Sequence, residues 1–223
     1  MPGLPSENIR GIIFDLDGTL YTCEAFADTI QDAALTYMAG LLGIRQTEAC
    51  QLMADTRQRL AQENGTLPTL SAVCVELGGD IRELHRCFTA LLQPEEYLRP
   101  DERVTTLLRR LAQRFSLYVY TNNNRALATR ILTHLGLMDL FQGLFAIDDA
   151  WLAKPDERAL ADILAKTGLA PAEALFVGDR YDVDLRVPEQ FGCVVYLSRK
   201  VDQLLRLDEL LGRDTEQMQI GGV

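Results

Sequence analysis

The residues that decide the fold are Ile9–Leu20, I-R-G-I-I-F-D-L-D-G-T-L. Ile12, Ile13 and Phe14 form a short apolar run that stops at Asp15, with Asp17, Gly18 and Thr19 close behind. An apolar run bounded by turn residues reads as a buried strand of a parallel sheet. Ligands of such sheets bind at the carboxyl ends of the strands, which is where Asp15 would project. If the chain stays extended, Asp15 and Asp17 face the same way, because side chains alternate along a strand. Paired carboxylates repel unless a cation or a shared proton separates them. A strand closing in an Asp-Gly turn produces the same letters. The stretch by itself leaves the two readings level.

Outward from this stretch the pattern turns helical. Residues 24–42, 47–62, 69–77 and 80–92 carry apolar side chains at helical spacing. Gly43, Asn64-Gly65, Gly78-Gly79 and Pro94 punctuate them, and Asp80 is placed to cap the last. A helical block of this length is no simple loop. Residues 23–97 are therefore expected to be an all-helical insert, with 1–22 and 98–223 forming the other domain.

From Pro100 helix and strand alternate. Helices are expected over 101–113, 125–135, 155–167 (with Pro155 in its first turn), 185–190 and 201–211. Strands are expected over 115–120, 143–147, 174–177 and 193–197. The tail 212–223 offers little to pack and is expected to be disordered. The alternation predicts an α/β fold, a doubly wound parallel sheet with helices on both faces.

Composition narrows the function classes. The chain has 223 residues, 48% of them hydrophobic, enough for a sizeable core, and a formal net charge of −10. Such a charge argues against nucleic acid and anionic membranes as partners. There is no signal-peptide pattern and no apolar run long enough for a membrane span. The five cysteines (Cys23, Cys50, Cys74, Cys87, Cys193) lie far apart without metal or disulfide spacing, and read as buried thiols of a reducing compartment. A cytoplasmic protein is the expectation.

Four segments deliver polar residues to one sheet edge: Asp15/Asp17, Thr121-Asn122, Lys154-Pro155, and Gly178-Asp179 with Asp182 and Asp184. This ordered set resembles the haloacid dehalogenase-like superfamily of aspartate-nucleophile phosphohydrolases, over about residues 9–197. The carriers are DxDGT at Asp15–Thr19, a strand ending in Thr121, a lysine before proline at Lys154, and GDxxxxD at Gly178–Asp184. Any one alone is weak, but the four in order are specific.

The resemblance implies a Rossmann-like core and assigns roles. Asp15 becomes the nucleophile that forms an aspartyl-phosphate. Asp17 becomes the acid that protonates the leaving oxygen and then the base that activates water. Mg2+ would take carboxylates from Asp15 and Asp179 and the backbone carbonyl of Asp17. Thr121, Asn122 and Lys154 would stabilise the phosphate oxygens. Lys154 is one of only three lysines, and the other two, Lys166 and Lys200, read as solvated helix-end charges. Asp184 fits the last motif as an outer anchor for a metal-bound water or for Lys154, whereas Asp182 fits less well and is available as a helix cap.

Alternatives inside the superfamily differ in single features. Metal-free dehalogenases do not use the second aspartate as Asp17 is used here. Phosphonate hydrolases that form a Schiff base need a lysine in the insert, and residues 23–97 contain none. A sugar-phosphate mutase shares the core residues, and a catalytically dead binding protein shares the scaffold, although no catalytic position is substituted. Arg45, Arg57, Arg59, Arg82, Arg86 and Arg99 of the insert and its return segment can each meet a substrate anion or simply face water. The insert leaves after the first strand, at the family's helical-cap position, with hinges expected near residues 21–23 and 97–100. A lid there implies a small phosphorylated metabolite as the substrate.

Overall fold

The computed structural model describes residues 7–212. Five parallel strands form one sheet in the order β3-β2-β1-β4-β5. They are β1 (Gly11–Phe14), β2 (Ser116–Tyr120), β3 (Gly143–Phe145), β4 (Ala174–Gly178) and β5 (Val194–Leu197). The helices are α1 (Glu24–Leu42), α2 (Gln46–Asn64), α3 (Leu70–Glu76), α4 (Ile81–Leu91), α5 (Pro94–Tyr97), α6 (Glu102–Leu111), α7 (Arg125–His134), α8 (Glu157–Thr167), α9 (Arg186–Gln190), α10 (Val201–Leu204) and α11 (Leu207–Gly212). The α/β architecture expected from the alternation, and the Rossmann-like core implied by the resemblance, are present.

The central position of β1 follows from its composition. All four residues are buried, as a strand covered on both faces requires. Alternation splits the apolar side chains between two layers. Ile12 and Phe14 join Leu117, Val119, Leu175 and Val177 on the face covered by α6, α7 and α11. Ile13 joins Tyr120 and Phe176 on the face covered by α8 and α9. Phe14 lies in register with Val119 of β2 and Val177 of β4. The residues just beyond these strands, Asp15, Thr121 and Asp179, therefore emerge at one edge.

Between β1 and α6 lie five helices and, among the described residues, no named strand. The glycine stops act as read: Gly43 and Gly65 end α1 and α2 with φ of 65° and 69°. Asp80 caps α4 by accepting from the Arg82 and Glu83 N–H groups. Cys23 Sγ lies 3.9 Å from the Tyr97 carbonyl, which sets the outgoing and returning connections side by side.

Several local expectations are corrected. Pro94 does not merely close the helical region but opens α5 from its first turn. Pro155 lies outside α8: Asp156 is the cap, its carboxylate accepting from Arg158 N and Ala159 N, so the helix begins at Glu157. β3 stops at Phe145 and a 3-10 turn takes over at Ile147–Asp149. Residues 201–211 form two short helices instead of one. Cys50 is exposed on α2, because that helix turns only Ala49, Met53 and Thr56 inward, and Cys23 and Cys87 are half-buried; Cys74 and Cys193 are buried, and all five thiols are free. Beyond Gly212, the expectation of a disordered tail lies outside the described residues. Among the described residues, no helix is long and apolar enough to cross a membrane.

Candidate active site

Asp15 leaves the sheet on the tip of β1 and is 6% exposed. Its Oδ1 accepts from Lys154 Nζ at 2.6 Å, and its Oδ2 accepts from the Thr19 hydroxyl at 3.0 Å. The tight turn that returns Thr19 needs Gly18, which has φ 86°. A Cβ at Gly18 would also stand 2.5 Å from Asp179 Oδ2. The glycine of the first motif thus lets the β1 and β4 loops approach each other.

Asp17 is fixed from both sides. Its Oδ1 accepts from the Tyr21 hydroxyl, and its Oδ2 accepts from Asn123 Nδ2 at 2.7 Å. Thr121, the residue after β2, is fully buried, and its hydroxyl oxygen accepts from the Asn123 N–H at 3.0 Å. Thr121 therefore shapes the loop that carries Asn123 to Asp17.

Lys154 is the hub. It is buried, and its ammonium donates to Asp15 Oδ1, to Asp184 Oδ1 at 2.7 Å and to the Tyr120 carbonyl at 3.0 Å. Three acceptors match the three N–H bonds of an ammonium. Asn122 holds the lysine's backbone: its Oδ1 accepts from Lys154 N at 2.7 Å and its Nδ2 donates to Lys154 O at 3.3 Å. The Asn122 side-chain amide, expected at the phosphate oxygens, is occupied with positioning Lys154. Its backbone N–H, with those of Leu16 and Asp17, donates to nothing among the described residues.

Asp184 sits on a π turn, Tyr181–Leu185, that precedes α9. The extra residue in that turn aims the carboxylate at Lys154 while its Oδ2 accepts from Arg180 N at 3.0 Å. Gly178 is required here because a Cβ would strike the Asp184 side chain. Asp182, on the same turn, is exposed and caps no helix.

Asp15, Asp179 and Asp184 each bring a carboxylate oxygen within 4.8 Å of the others. Burial pushes the Asp15 carboxyl up to about 7; Lys154 opposes the rise, and Asp184, Asp17 and Asp179 add to it. Asp179 rises to about 6 through burial and the nearby Asp184 charge. Burial also works against the charged form of Asp184, but Lys154 and Arg180 outweigh it and hold that carboxyl below its usual range. The Lys154 ammonium is likewise disfavoured by burial, and Asp15 with Asp184 lifts its pKa above the ordinary lysine value.

Asp179 Oδ1 is buried without a hydrogen-bond partner, its nearest cation being Arg180 Nε at 3.7 Å. Four carboxylates (Asp15, Asp17, Asp179, Asp184) face two cations (Lys154, Arg180). The hard oxygen donors, the orphaned Asp179 oxygen and the excess negative charge fit a divalent cation such as magnesium. Asp179 Oδ1 is spare, whereas each oxygen of Asp15 and of Asp184 already accepts one hydrogen bond and keeps a second lone pair.

A cavity of about 900 Å³ opens at this edge, lined on the sheet side by Asp17, Asn122, Asn123 and Asp179 and on the helical side by Phe26, Gln31, Ser71, His85 and Phe88. Its volume falls within the range of small-molecule sites. Tyr21, Asn123 and His85 were not singled out from the sequence. Tyr21 stands four residues after Asp17, a local signal; Asn123 is one of three consecutive asparagines; nothing local marks His85. Trp151, on the loop before Lys154, packs its ring against His85 at 6.1 Å and lies under Arg82 at 5.4 Å, joining α4 to that loop.

A haloacid dehalogenase-like hydrolase family model matches residues 9–192. The chain belongs to this family. It is similar to glyceraldehyde 3-phosphate phosphatase of Methanocaldococcus jannaschii, 26% identical over 197 residues covering 83% of each chain. It is also similar to phosphoglycolate phosphatase of Pectobacterium atrosepticum, 28% identical over 200 residues covering 83% of this chain and 78% of the other. Among solved structures, a phosphatase of the family from Thermococcus onnurineus superposes with a TM-score of 0.61 at 22% identity, over 92% of this chain and 98% of that one.

Proposed function

We propose that this chain, a phosphatase of the haloacid dehalogenase-like family, is a magnesium-dependent hydrolase of small phosphomonoesters working through an aspartyl-phosphate on Asp15. The observation that carries the reading is the arrangement of the paired aspartates. Asp15 is gripped by Lys154 and Thr19, while Asp17 is held separately by Tyr21 and Asn123. Two carboxylates in different environments suit a nucleophile and an acid–base group.

Asp15 attacks phosphorus, and the bond to the leaving oxygen breaks as that oxygen takes the Asp17 proton. Asp17 then removes a proton from water, the water oxygen attacks the same phosphorus, and phosphate leaves as Asp15 is regenerated. The free N–H groups of Leu16, Asp17 and Asn122 are suited to hydrogen-bond the phosphoryl oxygens, with the Lys154 ammonium adding positive charge beside Asp15. Magnesium bound by Asp15, Asp179 and the Asp17 carbonyl would neutralise charge on the transferring group.

Residues 23–97 act as a cap that covers the cavity and excludes water and large substrates. The names of the two similar phosphatases support a small phosphorylated metabolite. The test is hydrolysis of a panel of phosphorylated metabolites by the purified protein with magnesium or with EDTA, beside Asp15→Asn. Turnover that survives EDTA or Asp15→Asn would overturn the reading.

A further inference from the structure

His85 is the one buried ring on α4 that carries polar atoms without partners. The residue is 2% exposed, and neither Nδ1 nor Nε2 has a hydrogen-bond partner among the described residues. The neighbours of the ring are Phe88 and Trp151, in edge contacts at 5.3 and 6.1 Å. The backbone is firmly placed, because Asn124 Nδ2 donates to the His85 carbonyl at 2.9 Å and so ties α4 to the start of α7. Leaving a buried polar group unpaired is costly, and such groups call for a reason. An isosteric phenyl ring would fill this position without that cost.

The ring lines the same cavity as Asp17, Asn122 and Asn123. The other polar side chains that α1 and the α3 region turn to the cavity are Glu24, Gln31, Thr69 and Ser71, three neutral and one an anion that would repel a carboxylate. No arginine or lysine of residues 23–97 lines it. The cavity's cations, Arg99, Arg103, Arg180, Arg199 and Lys200, follow the insert in sequence and are all exposed. Burial lowers the His85 pKa to about 4, against the opposing pull of Asp148. A neutral imidazole offers one donor and one acceptor, which pairs with a hydroxyl and offers no charge to a carboxylate. The χ2 torsion of histidine is broad, so the ring can turn a nitrogen toward the cavity while α4 stays in place.

We propose that His85 is a specificity-determining residue that hydrogen-bonds a neutral, hydroxyl-bearing leaving group on the phosphomonoester held over Asp15. The inference rests on the hydrolase reading above and narrows it to esters of short neutral alcohols and polyols, against esters whose leaving group carries a carboxylate.

The experiment compares kcat/KM for glycerol 3-phosphate, phosphoglycolate and 4-nitrophenyl phosphate with magnesium. It uses the wild type, His85→Phe and His85→Gln. Wild type is expected to favour glycerol 3-phosphate over phosphoglycolate. His85→Phe should reduce that preference by about tenfold, the scale of one neutral hydrogen bond, and His85→Gln should restore part of it. A residue that only fills space would leave the ratio unmoved in both variants, and that result overturns the inference. A wild-type preference for phosphoglycolate overturns it without either variant, even if both fail to fold. Wild type inactive on all three esters would overturn the hydrolase reading itself, and the inference would fall with it.

Discussion

Asn122 grips Lys154 by the backbone, accepting from its N–H at 2.7 Å and donating to its carbonyl at 3.3 Å. The two residues lie 32 positions apart, so this clamp fixes the loop after β3 to the tip of β2. Asn122→Ala should leave Lys154 charged but loosely aimed. We expect kcat to fall roughly 10²-fold, the cost of about an ångström of misplacement, with a smaller change in KM. Steady-state kinetics on any substrate the wild type turns over will check this, and unchanged kcat would show that the clamp is dispensable.

Lys154 compensates two buried carboxylates, so its loss should be felt in stability as well as in rate. Lys154→Met leaves Asp15 and Asp184 without their shared cation. Breaking a buried ion pair from one side costs about 3–5 kcal/mol. The deficit should be largest at pH 7 and should shrink toward pH 5 as the stranded carboxylates take up protons. Urea denaturation at the two pH values measures it, and an equal deficit at both would mean the loss is one of packing.

The paired aspartates should separate by kind of defect. Asp15→Asn should abolish turnover. Asp17→Asn should still bind magnesium but turn over about 10²–10⁴-fold more slowly, the usual range for lost acid–base catalysis. The deficit should be smaller for an aryl phosphate, whose leaving group needs less protonation, than for an alkyl phosphate. Equal losses on both would assign Asp17 a structural or metal-holding part.

Magnesium should stabilise the fold by mass action, by about 2.7 kcal/mol at a hundredfold excess over its Kd. Asp179→Asn removes the orphaned carboxylate oxygen and should weaken that response. Thermal unfolding across a magnesium titration reads both, and an identical shift in the variant would place the ion elsewhere.

His85 gives the protein a pH-dependent stability of predictable sign. Burial holds its folded-state pKa at about 4, below the roughly 6.5 of an unfolded chain. Between these values the unfolded state binds the extra proton. Stability is therefore full above pH 6.5 and falls as pH drops, by up to about 3 kcal/mol at pH 4. His85→Phe should flatten that part of the pH profile in urea denaturation, and an unchanged slope would assign it to other groups.

The sheet, its parallel order and the convergence of Asp15, Thr121 and Asp179 were legible because apolar runs ending in polar residues encode strand tips directly. The helical stretch was legible for the same kind of reason, its glycines sitting where α1 and α2 end. Pro155 misled because proline suits a first turn, yet Asp156 is the stronger cap and sets the start of α8. The bond from Asn123 to Asp17 spans 106 positions, and no local pattern announces a contact made only by the closed sheet. Asn122 was legible as a residue of this sheet edge, but its engagement with the Lys154 backbone was not, since composition does not say which way an amide turns. His85 was invisible because a helical face that buries a histidine looks like any other apolar stripe.

Trp151 is the chain's single tryptophan, and it stands where α4 meets the loop leading to Lys154. Its indole thus gives the joint a built-in optical signature, with no other indole to dilute it. Movement of α4 away from that loop would strip Arg82 and His85 from the ring and alter the emission. Any movement at this joint would accordingly be followed by intrinsic fluorescence in unlabelled, unmodified protein, in stopped flow and in real time.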